Sequence, residues 1–429
     1  MKRTYVANAQ PGQKVQISGF LENIRNKRAM AFLVLKDITG KIQITIVKDE
    51  NPGIAGKIDN LTLDTVITVT GNVVANPHVK LHGIEVLPET LCVESMADAL
   101  PIQEDSGIDH RMDYRWIDLR SERNQLIFKV QTFIAQSFRQ TLLSENFLEI
   151  HSPKLINTAS ESGSDVFALE YFDGQAYLAQ SPQFYKQMAM AGGFERVFEC
   201  GPVFRAEKSY TNRHATEFTG FDIEMSYIDS FRDVMLMQEK MMYGMLFLIN
   251  EKYGEDVKRL FDVEVTVPQT PFPVMKLEDV YAELNSRYGY VAPNGEQADL
   301  TTEAEQMCEK LARDKFGHEF LFVTHYGAEK RAFYHMRDEN GIPLGYDLIW
   351  KGVEITTGAQ REHRHEQLEK QAQEKGLSAD VAHYLEFFKY GCPPHGGFGM
   401  GLDRITMLAL NITIKEVMFL FRGPNRLTP

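Results

Sequence analysis

Four separated segments of the chain hold the residue types that could do chemistry. Residues 204–225, FRAEKSYTNRHATEFTGFDIEM, place Arg205, Glu207, Arg213 and His214 around a short polar loop, followed by a strand with Phe218, Asp222 and Glu224. Residues 204–207 read as strand, 208–212 as turn and 218–227 as a returning strand. Such a hairpin aims cations and an aromatic ring at one spot, as phosphates and a flat heterocycle require. Taken alone, a basic hairpin is more simply a solvated surface, so its weight depends on partners elsewhere.

Those partners lie far away in sequence. Residues 180–187, QSPQFYKQ, carry Ser181, Gln183 and Lys186. Residues 346–365 carry Asp347 and Glu354, seven apart, then Thr357 and Arg361. Within one strand that spacing sends the two carboxylates to opposite faces. A turn near residues 351–352 would instead bring both to one pocket, where they suit Mg²⁺, a hard cation that prefers oxygen. As a bare pattern, two surface acids explain it more simply. The last segment, GGFGMGLDR at 396–404, reads as a glycine-rich turn opening a final helix, with Arg404 in its first turn. It lacks the GKS or GKT ending of a Walker loop and does not follow a strand as GxGxxG. A helix-capping turn explains it equally well. No Ser-His-Asp arrangement is recognisable.

These residues need a scaffold, and 429 residues with 43% hydrophobic content give two or more domains with a large core. No apolar stretch approaches a membrane span, and MKRTYVANAQ has no signal-peptide core. Cys92, Cys200, Cys308 and Cys392 form no CxxC pair, which argues against a zinc site or disulfide framework and fits a reducing cytoplasm. A net charge of −13 argues against indiscriminate polyanion binding. Residues 1–50 run the other way, with nine Lys/Arg against four acids. A nucleic acid touching this end and a plain charged face are both open.

Residues 1–92 read as five short strands (VQISGFL, AFLVLKD, KIQITIV, TVITVTGNVV, GIEVLPETLCV), which suits an OB-fold barrel. Residues 93–123 read as a linker. A helix is expected from about 124 to 144, with Leu126, Val130, Phe133, Ile134, Phe138 and Leu142 at three- and four-residue spacing. FLEIHSPKL follows as a strand that Pro153 confines to an edge or end. Residues 165–227 alternate strands with a helix over 183–191, and the Met-rich run DVMLMQEKMMYGMLFLI reads as a core helix. LFVTHY, AFYHMRD and LGYDLIWKGVEITTG resume strands, and a charged helix is expected over 362–376. Without a βαβ rhythm, residues 124–429 read as an α+β domain on a mainly antiparallel sheet flanked by helices.

In this order the segments resemble the three motifs of the class II aminoacyl-tRNA synthetases. FLEIHSPKL (147–155) resembles motif 1 with Pro153 as its proline at the dimer interface. The stretch 194–227 around FRAEKSYTNRHATEF resembles motif 2. GFGMGLDR, at the start of 396–410, resembles motif 3. More narrowly, the chain resembles the aspartyl-tRNA synthetases of archaeal and eukaryotic cytosolic type over nearly its whole length. That resemblance implies a cytoplasmic homodimer that activates L-aspartate with ATP and Mg²⁺ and charges tRNA(Asp), with tRNA(Asn) as a further possible acceptor. It implies ATP contacts from Arg205, Ala206, Glu207, Arg213, His214, Ala215, Phe218, Glu354, Gly401, Leu402, Asp403 and Arg404, with Arg205 and Arg404 as catalytic cations. It implies Mg²⁺ on Glu354, Asp347 and Thr357. Around the amino acid it implies Glu161 on a mobile loop, Ser181, Gln183, Phe184, Tyr185, Arg205, Asp222 and Thr357, with Lys186 and Arg361 clamping the side-chain carboxylate. In the barrel it implies anticodon contacts from Phe32, Gln43 and Glu85, and Glu22 and His78 at positions linked to discrimination between tRNA(Asp) and tRNA(Asn).

The chain departs from that pattern at Ser162, where relatives carry glycine, and in GLDR, nearer the bacterial form of motif 3. Three rivals remain: an asparagine–tRNA ligase, a synthetase-derived asparagine synthetase, which would lack the barrel, and a non-catalytic RNA-binding paralogue.

Overall fold

The computed structural model describes residues 2–157, 166–208 and 214–429. The chain divides into two compact units, Met1–Asp118 and Leu119–Pro429.

In the first unit five strands close into a barrel: β1 (Lys14–Asn26), β2 (Met30–Asp37), β3 (Gly40–Val47), β4 (Val66–Ala75) and β5 (Ile84–Ser95), in the order β1-β2-β3-β5-β4. Alternation explains the closure. Ala31, Leu33 and Leu35 of β2 and Ile42, Ile44 and Ile46 of β3 point inward and are fully buried, while their neighbours face outward. A short helix, Pro52–Ile58, covers the barrel between β3 and β4 and had no clear signal in the sequence. The barrel is the expected OB-type arrangement.

The second unit is built on an eight-stranded sheet. Its strands are β6 (Leu148–Glu149), β10 (Arg196–Phe204), β11 (Glu217–Ser226), β12 (Val274–Lys276), β13 (Phe320–Thr324), β14 (Gly345–Trp350), β15 (Val353–Arg361) and β16 (His395–Gly401). They lie in the order β12-β13-β14-β15-β16-β11-β10-β6. The pairings are antiparallel except at the two ends, where β12 runs parallel to β13 and β6 parallel to β10. A small sheet of β7 (Leu155–Ile156), β8 (Ala168–Tyr171) and β9 (Gly174–Leu178) lies apart in the order β7-β9-β8. Pro153 falls between β6 and β7, so FLEIHSPKL is two short strands in different sheets rather than one.

Two long helices, Glu122–Ser144 and Phe231–Phe261, pack together across one face of the large sheet. The first buries Leu126, Val130, Ile134, Phe138 and Leu142, the predicted stripe except Phe133, which is only partly buried. The second starts at a capping box of Ser230 and Asp233 and buries Met235, Met237, Met241, Met242 and Met245. Each such side chain contributes roughly 1.5–3 kcal/mol when fully buried. The charged helix is shorter than expected, His365–Glu374. AFYHMRD is not a strand; it makes only isolated bridges, His335 to Arg361 and Arg337 to Pro343.

One sequence expectation is overturned outright. GGFGMG is no turn but the body of β16, a central strand between β15 and β11. Phe398 and Met400 go down into the core, and Gly397, Gly399 and Gly401 occupy the other face. Glycine inside a strand marks a place where something else comes close to the backbone.

Candidate active site

That glycine strand is the floor of a cavity of about 480 Å³ on the face of the sheet opposite the long helices. The floor needs glycine. A Cβ on Gly397 would collide with the Ile223 carbonyl oxygen and the Glu224 carboxylate, and one on Gly399 would lie 2.8 Å from Asp222 Oδ1. The absent side chains leave room for the Asp222 and Glu224 carboxylates against the strand.

The walls come from all four sequence segments. Arg205, Glu207, His214, Ala215, Phe218 and Asp222 line the cavity from the β10–β11 hairpin, and Ser181 and Gln183 from the start of the Gln183–Ala191 helix. Glu354, Thr357 and Arg361 line it from β15, and Gly401, Asp403 and Arg404 from the junction of β16 with the Leu402–Leu410 helix. Several polar atoms here are buried without a hydrogen-bond partner among the described residues: Arg205 Nε, His335 Nδ1 and Thr356 Oγ1. Buried orphan donors are uncommon in folded proteins, so their collection around one cavity points to a polar ligand.

Local geometry explains the third segment. β14 and β15 are joined by Lys351 and Gly352, with φ of 49° and 69°, a two-residue hairpin turn with both residues left-handed. A Cβ on Gly352 would also meet the Gln306 carbonyl oxygen at 2.8 Å. The register shifts between Leu348 and Ile349, so Asp347 pairs with Thr357 while Ile349 pairs with Glu354. This bulge brings Glu354 beside Thr357, whose Oγ1 donates to Glu354 Oε1 at 3.1 Å.

Asp347 faces the same way but does not line the cavity. Arg331 takes its carboxylate with two bonds of 2.8 and 2.6 Å. This corrects the expectation that Asp347 is free to share a cation with Glu354. Burial, reinforced by Asp347, pushes the Glu354 carboxyl up to about 7. A divalent cation would reverse that shift. Among the described residues no group of three or more His, Cys, Asp or Glu could hold a metal ion. One carboxylate and a hydroxyl fit Mg²⁺, which keeps waters and binds through substrate phosphates rather than in an all-protein cage.

Arg404 is aimed by a bond from its Nη1 to the Glu354 carbonyl oxygen, 2.9 Å. Arg205 lies over the Phe218 ring, 5.6 Å from its centroid. Asp403 is tied down: Thr219 N and Gln131 Nε2 both donate to it at 2.9 Å, and burial raises its carboxyl.

Arg361 is held from below. Its Nε donates to Glu224 Oε1 at 3.1 Å and its Nη2 to the Gly397 carbonyl at 2.9 Å and Gln183 Oε1 at 3.4 Å. A directional relay continues from there. Gln183 Nε2 donates to Gln187 Oε1 at 2.8 Å, and Gln187 Nε2 reaches His395 Nε2 at 2.9 Å. His395 Nδ1 lies 2.8 Å from the Pro393 carbonyl and must donate to it, which leaves Nε2 as the acceptor. Burial pushes the His395 imidazole down to about 4, consistent with a neutral ring.

Lys186, expected to clamp the substrate's side chain, is buried beside the floor, between its helix and the sheet, and does not line the cavity. It follows Gln183 by three residues on the buried side of their helix. Its ammonium donates to Asp222 Oδ1 at 2.9 Å, the Phe398 carbonyl at 3.1 Å and the Ile223 carbonyl at 3.3 Å, with Glu224 Oε2 at 3.4 Å. Phe184 and Tyr185 do not line the cavity either; Phe184 stacks on Tyr384 at 4.2 Å. Leu402 is core, and Ala206 does not line the cavity. Glu161, Ser162 and Arg213 lie outside the described residues. Sequence reasoning missed Arg331, Tyr334 and His335, which line the cavity, the last two from a stretch misread as a strand.

In the barrel, Phe32, Gln43 and Glu85 share the outer face of β2, β3 and β5. Gln43 is the register partner of Val34 and of Glu85, and Phe32 that of Thr45. Gln43 Nε2 donates to Glu85 Oε2 at 3.0 Å. Glu22 is paired with Lys41 at 2.9 Å and Lys36 at 3.7 Å. His78 is exposed in the β4–β5 loop.

This architecture is that of an ATP-dependent class of RNA-charging enzymes: residues 107–422 match the tRNA synthetases of class II (D, K and N), residues 15–90 match the OB-fold nucleic acid binding domain, and the chain belongs to the class II tRNA synthetases. Within that family it is similar to an aspartate–tRNA(Asp/Asn) ligase of Methanopyrus kandleri, 40% identical with 100% of both chains covered. An aspartate–tRNA(Asp) ligase of Pyrococcus abyssi is 38% identical over 97% of each. Among solved structures, the asparaginyl-tRNA synthetase of Pyrococcus horikoshii with asparaginyl-adenylate superposes with a TM-score of 0.91 at 29% identity over 100% of both chains. The aspartyl-tRNA synthetase of Entamoeba histolytica gives 0.87 at 31% identity, covering 100% of this chain and 93% of that one.

Proposed function

We propose that this chain is an aspartate–tRNA ligase, which joins L-aspartate to AMP and passes it to the 3′ end of tRNA(Asp), and of tRNA(Asn) as well. One observation carries the reading: Arg205, Glu354, Arg361 and Arg404, spread over 200 residues of sequence, all line one cavity.

In the first step a carboxylate oxygen of aspartate attacks the α-phosphorus of ATP. The bond from that phosphorus to the bridging oxygen breaks, and pyrophosphate leaves with the electron pair. Both reactants are anions, so the barrier is repulsion and misorientation. Arg205 would hold the aspartate carboxylate against the α-phosphate, and Arg404 would draw charge from the departing phosphates. Phe218 offers a ring for the adenine, and Glu207 an acceptor for its amino group. Mg²⁺ on Glu354 and Thr357 would neutralise phosphate charge. In the second step a ribose hydroxyl of the terminal adenosine attacks the acyl carbon, and AMP departs. No side-chain nucleophile is required, consistent with none being apparent.

Arg361 is the cation for the substrate's side-chain carboxylate, and Asp222, Ser181 and Gln183 suit the ammonium. The barrel reads the anticodon, and its presence counts against a free-standing asparagine synthetase. The exposed edge strand β6 and the turn at Pro153, beside exposed Leu143, Leu148 and Leu155, are the proposed seam of a homodimer.

A second reading, asparagine activation, is favoured by one observation: Lys186 is already spent on Asp222, Glu224 and two carbonyls, so the selection against a neutral side chain falls mainly on Arg361. Pyrophosphate exchange with aspartate and asparagine side by side, then charging of tRNA(Asp) and tRNA(Asn) transcripts, tests both. Exchange with aspartate alone is expected. Exchange with asparagine alone would overturn the main reading.

A further inference from the structure

The Glu85 carboxylate is almost wholly buried, 6% exposed, and it is held by three neutral donors. Gln43 Nε2 and Thr45 Oγ1 both donate to Oε2, and Asn76 Nδ2 donates to Oε1 at 2.8 Å. A carboxylate offers about four acceptor positions. Three are filled from the protein, which leaves about one for an outside N–H. Gln43 and Thr45 are strand residues fixed by the barrel register. Asn76 is different: it is the first residue after β4 and opens the loop that carries His78.

Asn76 faces two ways. Its Oδ1 accepts from the backbone N–H of His78 at 3.0 Å, while its Nδ2 holds Glu85. The amide cannot be turned over, because a carboxylate can only accept and a backbone N–H can only donate. Its own backbone N–H donates to the Gly83 carbonyl at 2.8 Å, and its carbonyl accepts from Val79 N at 3.0 Å, which closes the loop. One side chain therefore ties the path of residues 76–83 to the orientation of the buried carboxylate. OB-folds bind single strands on the β2–β3 face and through this same β4–β5 loop.

We propose that Asn76 is a positioning residue for base readout: it aims the single free acceptor of Glu85 at one N–H of a tRNA base, and it couples that acceptor to the loop bearing His78. A displacement of the loop by a different tRNA pulls on the same amide that orients Glu85, so loop and base are read together rather than separately. The inference rests on the barrel reading the anticodon.

The test is aminoacylation of tRNA(Asp) transcripts carrying single-base changes at each anticodon position, with pyrophosphate exchange and thermal melting as controls. Glu85→Gln should lose its preference at one position by on the order of tenfold or more, as expected for a lost hydrogen bond to a charged group. Asn76→Asp keeps the acceptor for His78 N and removes the donor to Glu85. It should lose preference at that same position by a similar factor with exchange unchanged, and its melting temperature should fall, because a second carboxylate then faces the buried one. Asn76→Ala should do the same and also alter the ratio of tRNA(Asp) to tRNA(Asn) charging. If Glu85→Gln relaxes one position while Asn76→Asp retains it, the positioning role is wrong. If Glu85→Gln leaves every preference intact, Glu85 reads no base and the inference is wrong, whereas an unaltered enzyme with no preference at any anticodon position would overturn the anticodon reading itself. A uniform loss across all transcripts with lowered melting would reduce Asn76 to a structural residue and overturn the proposal.

Discussion

Lys186 and Asp222 form an ion pair, Nζ to Oδ1 at 2.9 Å, in which the lysine is sealed between its own helix and the sheet and the aspartate opens on the cavity. The pair sits at the meeting of β11, β16 and the Gln183–Ala191 helix, with Glu224 on its other side. Lys186 therefore serves the site through Asp222.

Lys186→Met follows from this. Removing the ammonium leaves Asp222 without its buried cation and leaves Glu224 to Arg361, and breaking such a pair typically costs about 3–5 kcal/mol. Chemical denaturation should show a loss of that size, together with collapse of aspartate-dependent pyrophosphate exchange. A variant as stable as the parent would mean that the ammonium is not what neutralises Asp222.

Gly399→Ala places a methyl 2.8 Å from Asp222 Oδ1 and 3.3 Å from its Cγ. The carboxylate must swing away from Lys186, so the KM for aspartate should rise on the order of tenfold, given about 1.5–3 kcal/mol for a charge-assisted bond. Gly397→Ala meets a backbone carbonyl, which cannot swing, and should instead lower the melting temperature. Equal behaviour of the two variants would contradict the different neighbours of the two glycines.

Arg404→Ala removes a cation aimed by the Glu354 carbonyl. Loss of one such electrostatic stabiliser typically costs about 10²–10³ in kcat. Steady-state exchange should show this fall. Unchanged kcat would remove Arg404 from the chemistry.

His395 gives a pH dependence. An unfolded histidine titrates near 6.5, and burial holds the folded one at about 4. Between those values the unfolded chain binds a proton that the folded chain does not. Stability from this residue is therefore complete above about pH 6.5, falls as the pH falls, and levels off below about 4, a loss of about 3 kcal/mol at most. Urea titrations at pH 7 and pH 4.5 should show it, and His395→Gln should have a shallower slope between them. An equal slope would place the acid sensitivity elsewhere.

The local pattern of the chain was enough for several elements. Alternation over residues 14–95 specified a barrel, because each inward residue is apolar and a one-residue slip would expose the whole set. The three- and four-residue spacing of Leu126 to Leu142 specified a helix face. The motif resemblance named most of the cavity's lining: Arg205, Glu354, Arg361 and Arg404 are all there. What sequence could not decide was set by pairing across long separations. GGFGMG has the composition of a turn, and only its placement between β15 and β11 makes it a floor. Asp347 and Glu354 look equivalent in sequence; a bulge puts them on one face, and Arg331 then takes Asp347 and leaves Glu354 to line the cavity. Lys186 sits in the right motif, but its direction depends on a helix face and on two carboxylates from another strand. Periodicity encodes which side of an element is buried; which charge neutralises which is fixed only when the elements meet.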